Sequence, residues 1–227
     1  MLSTPEWAIL ALSLKVSAAA ILGITPLAFA CAWALARSRF AGRVLLDALV
    51  HLPLVLPPVV SGWLLLLAFG SQGPAGRWLE SIGITLMFRW SGAALASAIM
   101  AFPLIVRAIR LSLEAVDPRL QQAAQTLGAS RWHIFATITL PLAMPGVLAG
   151  LMLGFARSLG EFGATITFVS NIPGETQTLP LAIYAALQSP DGEGLVTRLA
   201  LISVALSLAA LVASEALARQ MGRAHVI

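Results

Sequence analysis

Arg157 and Glu161 stand four residues apart in an otherwise apolar stretch, PLAMPGVLAGLMLGFARSLGEF, and are the first candidates for chemistry in this chain. A charge held in hydrocarbon is costly and marks function by default. An i,i+4 pair on a helix can also satisfy both groups locally, which would make the two structural. Beyond this pair, reactive side chains do not converge. No G-x-x-x-x-G-K-[ST] phosphate loop occurs, and Lys15 is the chain's only lysine. His51, His133 and His225 are far apart, with no H-E-x-x-H and no G-x-S-x-G elbow. Cys31 is alone, so neither an intrachain disulfide nor a cysteine metal site can form. No catalytic residue, metal or cofactor is expected of this chain.

The elements that must position these residues are membrane spans. Hydrophobic residues make up 59% of the 227 and charged residues 11%, with a mean hydropathy of +0.89. A soluble domain carries about 25% charged residues, so the composition predicts an all-α integral membrane protein. Five segments reach the roughly 20 residues that a crossing needs, at about 9–36, 44–70, 90–110, 142–160 and 197–217. The first is too long, and too acidic at its start, for a cleaved signal peptide. Lys15 lies near its outer end, where its side chain can snorkel to the headgroups.

Nine of the fourteen basic residues (Arg37, Arg39, Arg43, Arg107, Arg110, Arg119, Arg131, Arg219 and Arg223) fall on one side if the spans are five. The positive-inside rule makes that side cytoplasmic, with the N-terminus outside and the C-terminus inside. The basic balance thus reports topology, and nucleic acid is not an expected partner.

The second span contains LPLVLPPVVSGW. Pro57 and Pro58 remove two backbone donors near mid-membrane, and Ser61 and Gly62 follow at once. Such a break can be a kink that fits neighbouring helices, or it can line a translocation path. In the fourth span Gly146, Gly150, Gly154 and Ser158 recur every four residues. That stripe admits a close neighbour, either within the chain or in a second copy. The 71–89 loop has an interfacial middle between Trp78 and Trp90. Residues 162–196 read as an outer loop with re-entrant or interfacial parts.

One polar stretch interrupts this pattern: DPRLQQAAQTLGASRWHIFATITLP, residues 117–141. Asp117 is a good N-cap and Pro118 suits the first helical position. A short helix then runs through Arg119 to Leu127, and Gly128 supplies a left-handed stop. Ser130 can cap a second segment, which Pro141 is expected to interrupt.

This stretch resembles the EAA loop of ABC importer permeases. Gln122-Ala123-Ala124, Gly128 and the later Ile138-Thr139-Leu140-Pro141 stand where that loop has its triplet, its Gly and its I-x-L-P. Gln122 departs from the family's usual Glu. ARSRFAGR followed by LPLVLPPVVSG, ARSLGEFGATITF and GETQTLPLAIY are similar to the molybdate and sulfate branch, so the resemblance covers about residues 8–218. It implies a type I importer permease fold with about five transmembrane helices and a cytoplasmic coupling helix. The coupling residues it implies are Asp117, Arg119, Gln122, Ala123, Ala124, Gly128, Leu140 and Pro141. Pro57, Pro58, Ser61, Gly62, Gly150, Gly154, Ser158 and Glu161 are candidates for the translocation path.

By the same resemblance the partners are a second permease copy, two ATPase subunits that hold ATP and Mg, a periplasmic molybdate-binding protein and membrane lipid. The setting is a bacterial inner membrane. A sulfate, thiosulfate or tungstate permease shares this architecture; a passive anion channel is the alternative of a different class.

Overall fold

The computed structural model describes residues 3–38 and 40–223, so Arg39 and His225 lie outside the described residues. Every described element is helical. α1 is Thr4–Arg37, α2 Arg43–Val55, α3 Pro58–Phe69, α4 Pro74–Ser81 and α5 Trp90–Ala115. α6 is Pro118–Thr126 and α7 Arg131–Ile134; after a π-helical turn, Phe135–Thr139, come α8 Leu140–Leu159, α9 Gly163–Val169, α10 Leu179–Leu187 and α11 Glu193–Arg223.

α5 is the central post, with 67% of its apolar window buried. Its N-terminal half is built of small residues (Ala93, Ala94, Ala96, Ser97, Ala98, Ala101), so neighbouring helices approach closely. α1 and α8 flank it. Around one half of α5, Leu35, Val50, Ile105, Val106, Ile109, Leu113, Ala143 and Val147 form one core. Around the other half, Val16, Ala20, Leu65, Ala93, Ala96, Ala164, Phe168 and Val169 form a second. The first core lies toward the α6–α7 loop, here called the coupling end; the second lies toward the far end.

Among the described residues four helices are long and apolar enough to cross a membrane, which makes five spans if α2 and α3 count as one more. Those two diverge by 116°. A kinked span was expected at 44–70, and the observed break is far sharper than a proline kink. Leu56 and Pro57 are extended, with ψ of 140° and 136°. The residue before a proline is steered out of the helical region, and two successive prolines do this twice. Val50 of α2 belongs to the coupling-end core and Leu65 of α3 to the far-end core, so the pair still joins the two ends.

Pro141 does not interrupt the second segment, contrary to expectation. The helix continues from Arg131 to Leu159. In the π-helical turn just before the proline, Leu140 N–H donates to the Phe135 carbonyl. That widened turn accommodates a ring that would clash with the carbonyl four residues back in an ordinary helix.

At the far end, Ser3 N–H donates to Glu6 at 2.6 Å, closing the start of α1. Glu6 also accepts from Arg198 at 2.7 Å, which joins α1 to the start of α11. Lys15 does more than snorkel: its ammonium lies 3.8 Å from the centroid of the Trp90 ring, where a cation–π contact holds it. Within 162–196, α9 is buried against the far-end core and neither α9 nor α10 is long enough to cross. The 71–89 loop carries the short helix α4, with Trp78 exposed.

Candidate functional site

Two groups of residues are brought together, one at each half of the molecule. At the coupling end α6 stands out from the chain with no buried residue. Its ends are fixed by local chemistry. Asp117 accepts from Arg119 N–H at 2.8 Å, Gly128 takes φ +83°, and Ser130 accepts from His133 N–H at 3.2 Å. Arg119, Gln122 and Ala123 are exposed, and Leu127 is 88% exposed. Capped at both ends and with no buried residue, α6 is a protruding peg. Leu140 and Pro141 sit apart from it, in the first turn of α8.

What ties the peg to the spans is Gln121, which reading by position missed. It accepts from Arg37 Nη1 at 3.4 Å, while Arg37 Nη2 donates to the Leu113 carbonyl at 3.0 Å. The last turn of α1 thereby touches both α5 and α6. Behind α7, Trp33 and Trp132 pack on Phe135 with ring centroids 4.9 and 5.3 Å apart. A push on α6–α7 has direct packing through which to reach α1 and α8.

The second group surrounds the α2–α3 break. Arg157 and Glu161 pair at 2.8 Å, with the Glu161 side chain 1% exposed. Glu161 also accepts from Ala164 N–H at 2.9 Å, which anchors the start of α9. Gly62 abuts Ala164 and Thr167, and Gly163 abuts Pro58. The break and Glu161 are therefore neighbours. The glycine stripe of α8 serves packing within the chain: Gly150 faces Ala108 of α5, and Gly154 faces Ile105 and Ile21. Ser158 donates to Ser17 of α1 at 3.0 Å. Of the eight path candidates, Pro57 and Pro58 are exposed; Ser61, Gly62, Gly150, Gly154, Ser158 and Glu161 are buried in this conformation.

Removing one partner of a buried ion pair leaves the other charge unpaid for. Arg157→Ala is expected to destabilise the protein by about 3 kcal/mol. Glu161→Gln should do less harm, because its amide oxygen can still accept from Ala164. Thermal unfolding of the detergent-solubilised variants checks that order; equal midpoints would refute it.

The model of the family described as "Binding-protein-dependent transport system inner membrane component" matches residues 24–223. The chain belongs to this family. Among relatives, it is 58% identical over 220 residues to the molybdenum transport system permease protein ModB of Escherichia coli (strain K12), covering 96% of each chain. It is 41% identical over 192 residues to the sulfate transport system permease protein CysT of the same strain, covering 85% of this chain and 69% of that one. A solved bacterial alginate ABC transporter, in complex with its alginate-bound periplasmic protein, is similar in fold with a TM-score of 0.75 at 20% identity, covering 96% of this chain and 80% of that one. This family member is accordingly an inner-membrane, multi-pass permease subunit of the type I importer fold. Its α6 lies within the 117–141 stretch, and its broken span joins the two cores.

Proposed function

We propose that this chain is the membrane subunit through which an ATP-driven importer carries molybdate inward, acting as a pair of identical copies. Two ATPase subunits receive the α6 pegs, and a periplasmic binding protein delivers the anion at the far end. The coupling end is cytoplasmic, which puts Arg37, Arg43, Arg107, Arg110, Arg119 and Arg131 on the inner side. The N-terminus is then outside and the C-terminus inside. ATP binding draws the ATPase subunits together and moves the two α6 helices with them. The Arg37–Gln121 link and the aromatic cluster pass that motion to α1 and α8, and the spans open outward. Hydrolysis reverses the change.

Pro57 and Pro58, exposed at the break, form the wall of the path between the two copies, and Glu161 and Gly62 hold that wall in place from behind. The single observation that carries the cargo assignment is the 58% identity to a molybdenum permease, against 41% to a sulfate permease.

The test is uptake of radiolabelled molybdate into vesicles holding the permease, its ATPase and its binding protein. ATP-dependent accumulation that excess unlabelled sulfate does not suppress is expected. Sulfate carried in preference to molybdate would overturn the cargo, and accumulation without ATP would overturn the importer itself.

A further inference from the structure

Residues of α2 and α5 line a cavity of about 280 Å³ at the coupling end: Asp47, His51, Arg107, Arg110, Leu111 and Glu114. α2 has only Val50 buried. Leu46 packs, partly buried, against the same core, and the side-chain bonds from α2 to α5 are ionic. Arg110 donates to Asp47 at 3.0 Å and to Glu114 at 2.9 Å, and Arg43 comes within 4.0 Å of Glu114. Both carboxylates of the cavity are thus turned to arginines. Arg107 is different: it is exposed and has no hydrogen-bond or ion-pair partner among the described residues.

Arg107 lies one helical turn before Arg110, just inside the coupling end of the expected 90–110 span. A guanidinium that lines a cavity and has no protein partner among the described residues leaves its donors to water or an anion. The guanidinium offers a planar fork of donors matched to the edge of a tetrahedral oxyanion. His51 faces the same cavity with Nδ1 held 2.8 Å from the Asp47 carbonyl, which leaves Nε2 uncommitted among the described residues. The three arginines Arg43, Arg107 and Arg110 exceed the two carboxylates by one charge. An attraction that small holds an anion weakly, which suits a place of release.

We infer that this cavity is a low-affinity oxyanion subsite centred on Arg107 at the coupling end. Its ligand chemistry is a tetrahedral oxyanion, supplied either by the transported anion on its way out or by the phosphate of an anionic lipid. The first source rests on the molybdate reading above; the second does not.

The experiment uses the complete permease–ATPase complex in nanodiscs of phosphatidylcholine, alone or with phosphatidylglycerol, and compares wild type, Arg107→Gln and the far-end control Arg77→Gln. Radiolabelled molybdate is the first probe and retained phosphatidylglycerol the second. Arg107 is exposed and has no hydrogen-bond or ion-pair partner among the described residues, so its substitution should not disturb folding. In phosphatidylcholine discs we expect molybdate binding to fall at least tenfold in Arg107→Gln and to stay unchanged in Arg77→Gln. Retention of phosphatidylglycerol that depends on Arg107, without molybdate binding, would support the subsite and assign it to lipid. Binding of both probes that is indifferent to Arg107 would overturn it, as would no binding of either. Uptake by the same wild-type preparation is scored separately. Intact uptake without Arg107-dependent binding removes the subsite and leaves the transport reading standing; Arg107-dependent binding without uptake does the reverse.

Discussion

Gly62→Val is expected to prevent recovery of a folded, assembled permease. A Cβ added at Gly62 would lie 2.6 Å from the Ala164 carbonyl oxygen, 2.8 Å from Thr167 Cβ and 2.9 Å from Ala164 Cα. Overpacking typically costs about 1–3 kcal/mol where side chains can yield. Here backbone of α9 would have to move, and α9 is anchored at its start by Glu161. A loss of about 2 kcal/mol already shifts the folded-to-unfolded ratio by roughly 30-fold. Gly62→Ala should show a milder form of the same defect. Gly23→Ala, where nothing lies within 4 Å, should be tolerated. The check is the yield of monodisperse complex from membranes together with its unfolding midpoint. Normal yield and stability in Gly62→Val would show that α3 and α9 are not packed as described.

Gly128→Val is expected to act in the opposite manner, sparing assembly and sharply lowering transport. No atom lies within 4 Å of a Cβ placed there, so the substitution meets no clash. Its φ of +83° is nevertheless a region that a β-branched residue avoids, at a cost of about 1–2 kcal/mol or more. α6 has no buried residue to resist the strain, so the distortion falls on the peg and on the direction in which the chain leaves it. Each 1.4 kcal/mol is about tenfold in an equilibrium, and misdirected pegs should lower ATP-driven uptake by at least about that factor. Gly128→Asn should keep intermediate activity, because asparagine tolerates the left-handed region. Uptake is measured beside co-purification of the ATPase. Wild-type uptake in the valine variant would mean that the exit from α6 does not matter to coupling.

The contrast between these two glycines shows what could be read from the chain and what could not. Gly128 was legible because its requirement is local: a cap at Asp117, a short polar helix, and a residue free to take positive φ. The same holds for Ser130. The Arg157–Glu161 pair was legible as one of two possibilities, since helical spacing alone brings such side chains together. The break at Pro57–Pro58 was visible too, but its 116° angle depends on which core each half joins.

The proline rule that predicts a break at Pro141 describes an ordinary α-helix, and the π-helical turn Phe135–Thr139 before it has no local signal in the sequence. The stripe of α8 could have met a second copy; only the position of Ala108 and Ile105 assigns it to α5. Arg37–Gln121 and Glu6–Arg198 join residues 84 and 192 apart in sequence, and no local pattern announces either. In this loop the neighbour of the motif position, Gln121 rather than Gln122, is the one turned toward the spans.

In the proposed mechanism ATP-derived motion enters this chain at α6. The most direct measurement places a photoreactive side chain at Leu127, which is 88% exposed beside the C-terminus of α6, and irradiates the complete complex. A covalent adduct to the ATPase subunit is expected, with an efficiency that changes when ATP is added; the same probe at Trp78, 64% exposed near the far end, should give none. An ATPase adduct from Trp78 and silence from Leu127 would contradict the account.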